Sequence, residues 1–275
     1  MILGIHGSVR DGLTQALAEA EEARCEVLQM LPYRRHSTPD EDELRFFRAR
    51  LRRSCVKRLI AHSRFVPSLA SDDEARRVRS VELLVFELEL AQRLGAEAYV
   101  LHAGAYSVGG TPGEGLRKTG ESITKAVGRS DFKGKILIEN VPGGGRRLCG
   151  SLEELAQLRD AIGAGAQSGV CLDTAHAWAA GYDVASTEGA LKFLALAQRL
   201  FGGAVAAFHL NDTAALLGSH KENHAHWGAG RLGREGISTM LAHVEYAQTP
   251  AIVETPKTPG GDRENLDYLA GLLDP

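Results

Sequence analysis

Short apolar runs recur along the chain, and each is followed by a longer stretch whose apolar residues have helical spacing. Val170, Cys171 and Leu172 show the pattern clearly, since three successive apolar residues suit a strand that is buried on both faces. Eight such runs predict strands over residues 2–5, 26–30, 58–61, 98–101, 135–138, 170–172, 205–208 and 251–253. Parallel strands with covered faces are therefore expected.

The stretches between these runs predict helices over residues 13–23, 40–57, 115–127, 188–201, 234–246 and 265–273. Two more begin at capping signals, because Ser71 with Glu74 and Ser151 with Glu154 have the spacing of a capping box. Gly95 and Gly163 are expected to end these two helices. Eight strand–helix units in 275 residues predict one domain, residues 1–275, folded as a (β/α)8 TIM barrel. A doubly wound open sheet is disfavoured, since no G-x-G-x-x-G segment opens a helix.

Side chains that bind metal ions stand at the ends of six predicted strands. The carboxyl ends of barrel strands meet on one face, where active sites form. Histidine, aspartate and glutamate are ligands that zinc accepts. Alternatively, these residues could be helix caps and core histidines, but it would then be a coincidence that six strand ends all carry a possible metal ligand. The six residues are His62, His102, Glu139, Asp173, His209 and Glu254.

Further candidate ligands follow the sixth and seventh strands. His176 lies in the segment GVCLDTAHAWAAGYD, and the loop HKENHAHWGAG contributes Glu222, His224 and His226. One zinc ion takes about four ligands, so these residues predict a cluster of two or three ions. Such clusters suit in-line displacement at phosphorus. The residues alone therefore predict a multi-metal phosphodiesterase.

Charge is unevenly distributed along the chain. The net charge is −3, yet residues 34–79 contain 13 Lys and Arg against 7 Asp and Glu. This basic run indicates a phosphate-facing surface, although a solvated helix face is the simpler alternative. The chain also lacks a signal-peptide pattern, a bilayer-spanning apolar run and paired cysteine spacing. A cytoplasmic protein with reduced thiols and no membrane contact is expected.

Several segments resemble the endonuclease IV family of zinc-dependent apurinic/apyrimidinic DNA endonucleases. They occur in the family's order from Gly4 to Pro256 and cover nearly the whole chain. The segment with DTAHAWAAGYD is highly specific, whereas HLND and VETP are supportive. The matching segments are GIHGSVRDGL, LIAHSRFVPSLAS, VLHAGAY, ILIENV, GVCLDTAHAWAAGYD, FHLND, GSHKENHAHWGAG and IVETP.

The resemblance implies three zinc ions, with Mn²⁺ or Fe²⁺ as alternatives at one or more sites. Glu139 is implied as the catalytic carboxylate that bridges the first two ions. The implied ligand sets are His62, His102 and Glu139; Glu139, Asp173, His209 and Glu254; and His176, Glu222 and His224.

The implied substrate is double-stranded DNA that contains abasic sites. The resemblance implies cleavage of the phosphodiester 5′ to the lesion, which leaves a 3′-hydroxyl, with the abasic nucleotide flipped out of the duplex. A monomer is expected. Arg35, Phe65 and Val66 are the implied DNA-binding residues, with Phe65 and Val66 as the wedge.

This chain departs from the family at three places. Glu222 stands where the family has an aspartate, and Phe65 stands where it has a tyrosine. The loop LPYRRHS also differs, and Arg35 is matched to the family's DNA-contacting arginine within it. The longer carboxylate of Glu222 puts the geometry of the third metal site in question.

Two other functions are compatible with the same fold. A sugar isomerase or epimerase resembling xylose isomerase would hold one ion with Glu139, Asp173, His209 and Glu254. The surplus histidines argue against it, since one ion cannot use them. An abasic-DNA-binding protein that does not cut is the second alternative, and Glu222 with the altered loops favours it.

Overall fold

Eight parallel strands close into a barrel in this computed structural model, which describes residues 1–163 and 165–273. The strands are β1 (Ile2–Gly7), β2 (Val27–Met30), β3 (Arg58–His62), β4 (Ala98–His102), β5 (Lys135–Glu139), β6 (Ser168–Asp173), β7 (Val205–His209) and β10 (Pro250–Val253). Each pairs with its sequence neighbour, and β10 closes the barrel between β7 and β1. Two short strands, β8 (Asp212–Thr213) and β9 (His224–Ala225), form an antiparallel pair in the loop beyond β7. The predicted TIM barrel is confirmed.

Nine α-helices surround the strands in the described part of the chain. They are α1 (Leu13–Ala23), α2 (Glu41–Leu51), α3 (Glu74–Leu94), α4 (Pro112–Arg129), α5 (Leu152–Ala161), α6 (Thr174–Ala180), α7 (Thr187–Phe201), α8 (Glu235–Leu241) and α9 (Gly261–Ala270). Among these residues, no helix combines the length and apolar character that a bilayer crossing requires.

Several helix termini differ from the sequence expectation, including both ends of α9, which spans Gly261–Ala270 where residues 265–273 were expected. Helix α3 is capped by Asp73, whose carboxylate accepts the Arg76 N–H, and not by Ser71. Helix α2 ends at Leu51, six residues before the expected end, and the Ser54 hydroxyl donates to the Leu51 carbonyl in the turn that follows. Helix α8 is shorter than expected, with a separate 3-10 turn over Val244–Tyr246. Ser151 caps α5 as predicted, accepting from the Glu154 N–H.

The barrel interior is a small apolar cluster of side chains below the carboxyl ends of the strands. It consists of Val27, Ile60, Ala98, Val100, Leu137, Cys171, Ala207 and Ile252. Side chains alternate between the faces of a strand, so the residue two positions later also points inward. On β1 the inward position is Gly4, where an added Cβ would come within 2.4 Å of the Val27 carbonyl oxygen. Glycine is therefore required there for the barrel to close.

Candidate metal centre

Side chains alternate between the two faces of each strand, and this alternation places the six predicted strand-end side chains together. Each lies two residues after a member of the interior cluster, as His62 follows Ile60 and Glu139 follows Leu137. Because side-chain direction repeats every two residues along a strand, all six point inward at the carboxyl ends of the barrel strands. The same is true of the remaining four residues, His102, Asp173, His209 and Glu254.

Glu139 lies at the centre of the cluster. One carboxylate oxygen is 3.2 Å from His62 Nε2 and 2.8 Å from His102 Nε2. The other oxygen is 3.0 Å from His209 Nδ1 and 3.2 Å from His176 Nδ1. A single carboxylate thus faces four imidazoles, an arrangement suited to a bridging metal ligand.

Four groups of side chains in the described residues bring their ligand atoms within 4.8 Å of one another. Two of them share Glu139, and the third and fourth reach the edges of the cluster. The groups are His62, His102 and Glu139; Glu139, Asp173, His209 and Glu254; His62, His209 and Glu254; and Asp173, His176 and His224.

Hydrogen bonds fix which nitrogen of each imidazole is available to a metal. His62 Nδ1 donates to the Ser63 carbonyl at 2.9 Å, and His209 Nε2 donates to Gln29 Oε1 at 2.9 Å. His224 Nδ1 donates to the Glu254 carbonyl at 3.1 Å. In each ring the other nitrogen then carries a lone pair directed at the cluster. Outer hydrogen bonds of this kind are typical of metal-binding histidines.

Two buried nitrogen atoms support a metal at the outer edge of the cluster. His176 Nε2 and His224 Nε2 are buried, and neither finds a hydrogen-bond partner among the residues that the structure describes. Their ring centroids are 5.6 Å apart. Buried polar atoms are rarely left unpaired, and a divalent ion would satisfy both. The residues present therefore fit a metal ion.

The electrostatics of the cluster favour ionised carboxylates. Burial opposes ionisation of Glu139, but the His209 and His102 imidazoles hold the pKa of its carboxyl well below the ordinary value. His209 and His6 do the same for the pKa of Glu254, again against the effect of burial. Ionised carboxylates are the form that binds metals.

Glu222 lies at the rim and not in the buried part of the cluster. Its side chain is 56% exposed, and one carboxylate oxygen is 3.5 Å from His176 Nε2. His176 holds the pKa of Glu222 below its ordinary value. In the group that the structure brings together here, Asp173 and not Glu222 accompanies His176 and His224. Of the predicted third set, Glu222 thus lies beside His176 at the rim.

The neighbouring candidate His226 points away from the cluster. Asn265 Nδ2 lies 3.0 Å from its Nδ1, and the Thr258 hydroxyl lies 3.4 Å from its Nε2. Both ring nitrogens are therefore engaged with residues near the start of α9. This placement favours Glu222 and His224 over His226 for metal binding.

Four polar residues of the site escaped the sequence analysis. Gln29 is fully buried in β2, where its amide donates to Glu254 at 2.7 Å and accepts from His209. His6 lies 3.1 Å from Glu254, and Asn140 and Asn211 hold Asp173 by hydrogen bonds. His6 lies two residues after Gly4, and Gln29 lies two residues after Val27. Because Gly4 and Val27 are inward positions, this spacing could have identified both side chains as inward-facing.

Three adjoining cavities cross the top of the barrel. The one over the metal ligands has a volume of about 330 Å³ and is lined by His62, His102, His176 and Glu222 among others. It shares His6 and Lys257 with a basic cavity of about 570 Å³. On the other side, His102 and Glu222 also line a cavity of about 350 Å³. Together the cavities form a groove with the ligands at its middle.

Two of the three predicted DNA-binding residues, Arg35 and Val66, line this groove. Arg35 is exposed and lines the basic cavity, which also contains Arg34 and Arg64. Phe65 and Val66 are 51% and 57% exposed at the tip of the loop after β3, and Val66 lines the cavity on the other side of the ligands.

Only part of the basic run faces the groove. Arg34, Arg35, His36 and Arg64 belong to the run and line the basic cavity. Arg10 and Lys257 line the same cavity from outside the run. Arg50 is ion-paired with Glu21, and Arg58 with Glu97 at 2.5 Å. The basic residues at the groove are thus fewer than the run over residues 34–79 contains, and Arg50 and Arg58 form ion pairs elsewhere on the barrel.

Comparison with known proteins agrees with this geometry. A model of the xylose isomerase-like TIM barrel family matches residues 17–272, so the chain is a barrel protein of that class. "Probable endonuclease 4" of Nitratidesulfovibrio vulgaris (strain Hildenborough) is 34% identical over 279 residues, covering 98% of each chain. The protein of the same name from Solibacter usitatus is 34% identical over 281 residues, covering 99% of this chain and 97% of its own. Our chain therefore belongs to the endonuclease IV family.

Solved structures distinguish the family from the wider fold. The crystal structure of endonuclease IV from Thermus thermophilus superposes with a TM-score of 0.87 at 30% identity, covering 100% of this chain and 99% of the other. A D-tagatose 3-epimerase-like protein gives a TM-score of 0.79 at 20% identity, covering 100% and 97%, which shows the shared fold alone. Membership of the family supports an enzyme that binds metal ions, and the described residues include the clusters of His, Asp and Glu that could hold them.

Proposed function

We propose that this protein is a DNA repair endonuclease that hydrolyses the phosphodiester 5′ to abasic sites and leaves a 3′-hydroxyl. The observation that carries the proposal is the sharing of Glu139 between two groups of metal-competent side chains, with a third group at the rim. Clustered ions suit phosphodiester cleavage. The chain belongs to a family whose relatives are named endonucleases, and this supports DNA as the substrate.

The proposed cofactor is a set of three Zn²⁺ ions held by the nine ligands that the resemblance implied. Glu139 would belong to the ligand sets of the first two ions, and Glu222, His176 and His224 would hold the third. When bound, such ions supply Lewis acidity toward the phosphate and neutralise its charge. We regard Mn²⁺ or Fe²⁺ as substitutes at individual sites, since the imidazole and carboxylate ligands also suit these ions.

The protein's own side chains bind and orient the substrate in this proposal. Arg35, Arg64 and Lys257 line the basic cavity beside the ligands, where they can neutralise backbone phosphates. Phe65 and Val66 are exposed apolar residues that can fill the space left by a flipped abasic nucleotide. The proposed catalytic unit is a monomer formed by one domain, residues 1–275.

A sugar epimerase is the second candidate, and one observation favours it. Glu139, Asp173, His209 and Glu254 form a four-membered group that could hold one ion alone. The unpaired Nε2 atoms of His176 and His224 lie outside that group and are left unexplained by it.

Incision of a duplex with one abasic site, with and without a chelator, tests the proposal. We expect cleavage 5′ to the lesion that a chelator abolishes and added Zn²⁺ restores. An undamaged duplex of the same sequence is the control. Metal-dependent epimerisation of a ketose without incision would support the epimerase instead, and lesion binding without cleavage would support a non-cutting binder.

A further inference from the structure

A buried carboxylate outside the metal centre links two of the loops that border the groove. Glu87, on α3, is only 2% exposed. Its carboxylate accepts hydrogen bonds from the Tyr33 hydroxyl at 3.0 Å, the Tyr99 hydroxyl at 2.5 Å and the Arg64 backbone N–H at 3.1 Å. Burial raises the pKa of Glu87, and these three donors stabilise its ionised form in opposition. A buried acid held by three donors is costly to break.

The three donors come from three different parts of the barrel. Tyr99 lies in β4, whereas Tyr33 lies in the loop after β2 and Arg64 in the loop after β3. Those two loops carry Arg35 and Phe65, the residues that we propose to contact DNA. Glu87 therefore connects both loops to the rigid α3 helix.

Arg64 connects the same two loops directly. Its Nη1 donates to the Tyr33 carbonyl at 2.8 Å. Its guanidinium carbon lies 5.4 Å from the centroid of the Tyr33 ring and 5.8 Å from that of Phe65. Cation–π contacts at these distances are attractive. The exposed Phe65 ring is thus attached to a buried network and not free at the loop tip.

We propose that Glu87 is a positioning residue that holds the loops after β2 and β3 in one arrangement for DNA binding. The inference rests on the proposed function, since it names how that function's binding surface is organised. A surface that is ordered before binding loses less conformational entropy on association. Breaking the network should therefore weaken substrate binding and leave the metal centre intact.

Two tyrosines provide a matched pair of variants. Tyr33→Phe and Tyr99→Phe each remove one buried hydroxyl that donates to the same carboxylate, but only Tyr33 belongs to a groove loop. We expect Tyr33→Phe to raise KM for abasic duplex by roughly tenfold, as loss of one hydrogen bond to a charged group allows. Its kcat and metal content should stay within about twofold of wild type by the same argument. Tyr99→Phe should lower the melting temperature comparably, with little change in KM.

Hydrogen exchange supplies a readout that does not depend on activity. Without DNA, Tyr33→Phe should speed amide exchange in residues 31–38 and 63–67, whereas Tyr99→Phe should not. Glu87→Gln can keep the geometry, because its oxygen can accept from Tyr99 and Arg64 while its amide donates to the Tyr33 oxygen. We expect it to behave like wild type, and Glu87→Leu to show the larger KM.

Equal KM values and equal loop exchange in the two tyrosine variants would overturn the inference and leave Glu87 a structural residue. A Glu87→Gln variant as impaired as Glu87→Leu would also overturn it. Failure of the wild-type protein to incise abasic DNA would reject the proposed function instead, and the exchange comparison would still decide whether Glu87 orders the loops.

Discussion

At the scale of single residues, the site depends on side chains that each contact two or more other polar residues of the cluster. Glu139 faces four imidazoles, and Gln29 bonds both His209 and Glu254. Each such residue constrains several others, so its rotamer is fixed by the cluster as a whole. Glu222 differs, because its side chain is 56% exposed and its carboxylate lies 3.5 Å from His176 Nε2.

The role of Glu222 can be tested by shortening or removing its carboxylate. We expect Glu222→Ala to lose one metal ion per chain and most incision activity, because His176 and His224 alone make an incomplete zinc site. Glu222→Asp should keep both in part. Elemental analysis and incision rates measure these effects.

His226→Ala is the control, since that ring faces Asn265 and Thr258. It should retain three ions. A Glu222→Ala protein with its full metal complement and normal incision would show that this residue is not a ligand.

Phe65 is expected to act on DNA and not on stability. Its ring is 51% exposed, so Phe65→Ala removes little buried apolar surface. We predict a change in melting temperature of about 1 °C or less, as for surface substitutions, with unchanged metal content and clearly weaker incision of abasic duplex. Val108→Ala, at an 82% exposed position, is a matched surface control. A large fall in melting temperature for Phe65→Ala would indicate loop packing instead.

At the scale of elements, the loop beyond β7 is organised by one aspartate. Asp212 is fully buried, and its two oxygens accept the N–H groups of Thr213, Gly228, Gly230 and Leu232 at 2.8–3.1 Å. The loop thereby folds back on its start and pairs β8 with β9. His224, in β9, is placed by this pairing.

Asp212→Asn should therefore affect a metal site that it does not touch. The amide NH₂ would face two N–H donors, and losing these charge-assisted bonds should cost roughly 2–4 kcal/mol of unfolding free energy. We expect reduced occupancy of the rim metal as well. Thermal denaturation and metal analysis measure the two effects. Asp40→Asn is the control because Asp40 caps α2 and lines none of the three cavities, and asparagine caps helices equally well. Full metal content in Asp212→Asn would contradict the prediction.

Much of the element order could be predicted from the sequence, since buried strands are short apolar runs with polar ends. The strand-end candidates were predictable for the same reason. Helix ends were less so, because Ser71 and Asp73 both offer a capping oxygen and only the chain geometry selects Asp73. Gln29 and Asn211 were missed because their partners lie far away in sequence: Gln29 bonds Glu254, 225 positions on.

At the scale of the whole molecule, a net negative charge of the chain is compatible with one cavity that is lined by basic residues. The net charge of −3 includes the carboxylates of the metal cluster, which bound cations would offset. Arginines and Lys257 remain concentrated beside that cluster. A DNA backbone bound there, as we propose, would therefore lie beside several cationic side chains.

Metal removal should lower the stability of the fold as well as activity. The buried Glu139 and Asp173 carboxylates would lose their cations, and binding to the native state alone stabilises it by about 4 kcal/mol per site at free ion concentrations roughly 1,000 times Kd. We expect about three ions per chain by elemental analysis, as three separate ligand sets require, and a markedly lower melting temperature after chelation. Recovery on adding Zn²⁺ is the control. One ion per chain would contradict the three-site proposal.

The division of ligands between strands and loops also bears on how this protein can change over evolutionary time. Six candidate ligands lie at the carboxyl ends of barrel strands, whereas His176, Glu222 and His224 lie in the segments that follow β6 and β7. Substitutions in the second set can alter or abolish one ion without disturbing the interior cluster that closes the barrel. A substitution at the rim can thus change one candidate ion site while the barrel still folds, and Glu222 occupies such a position.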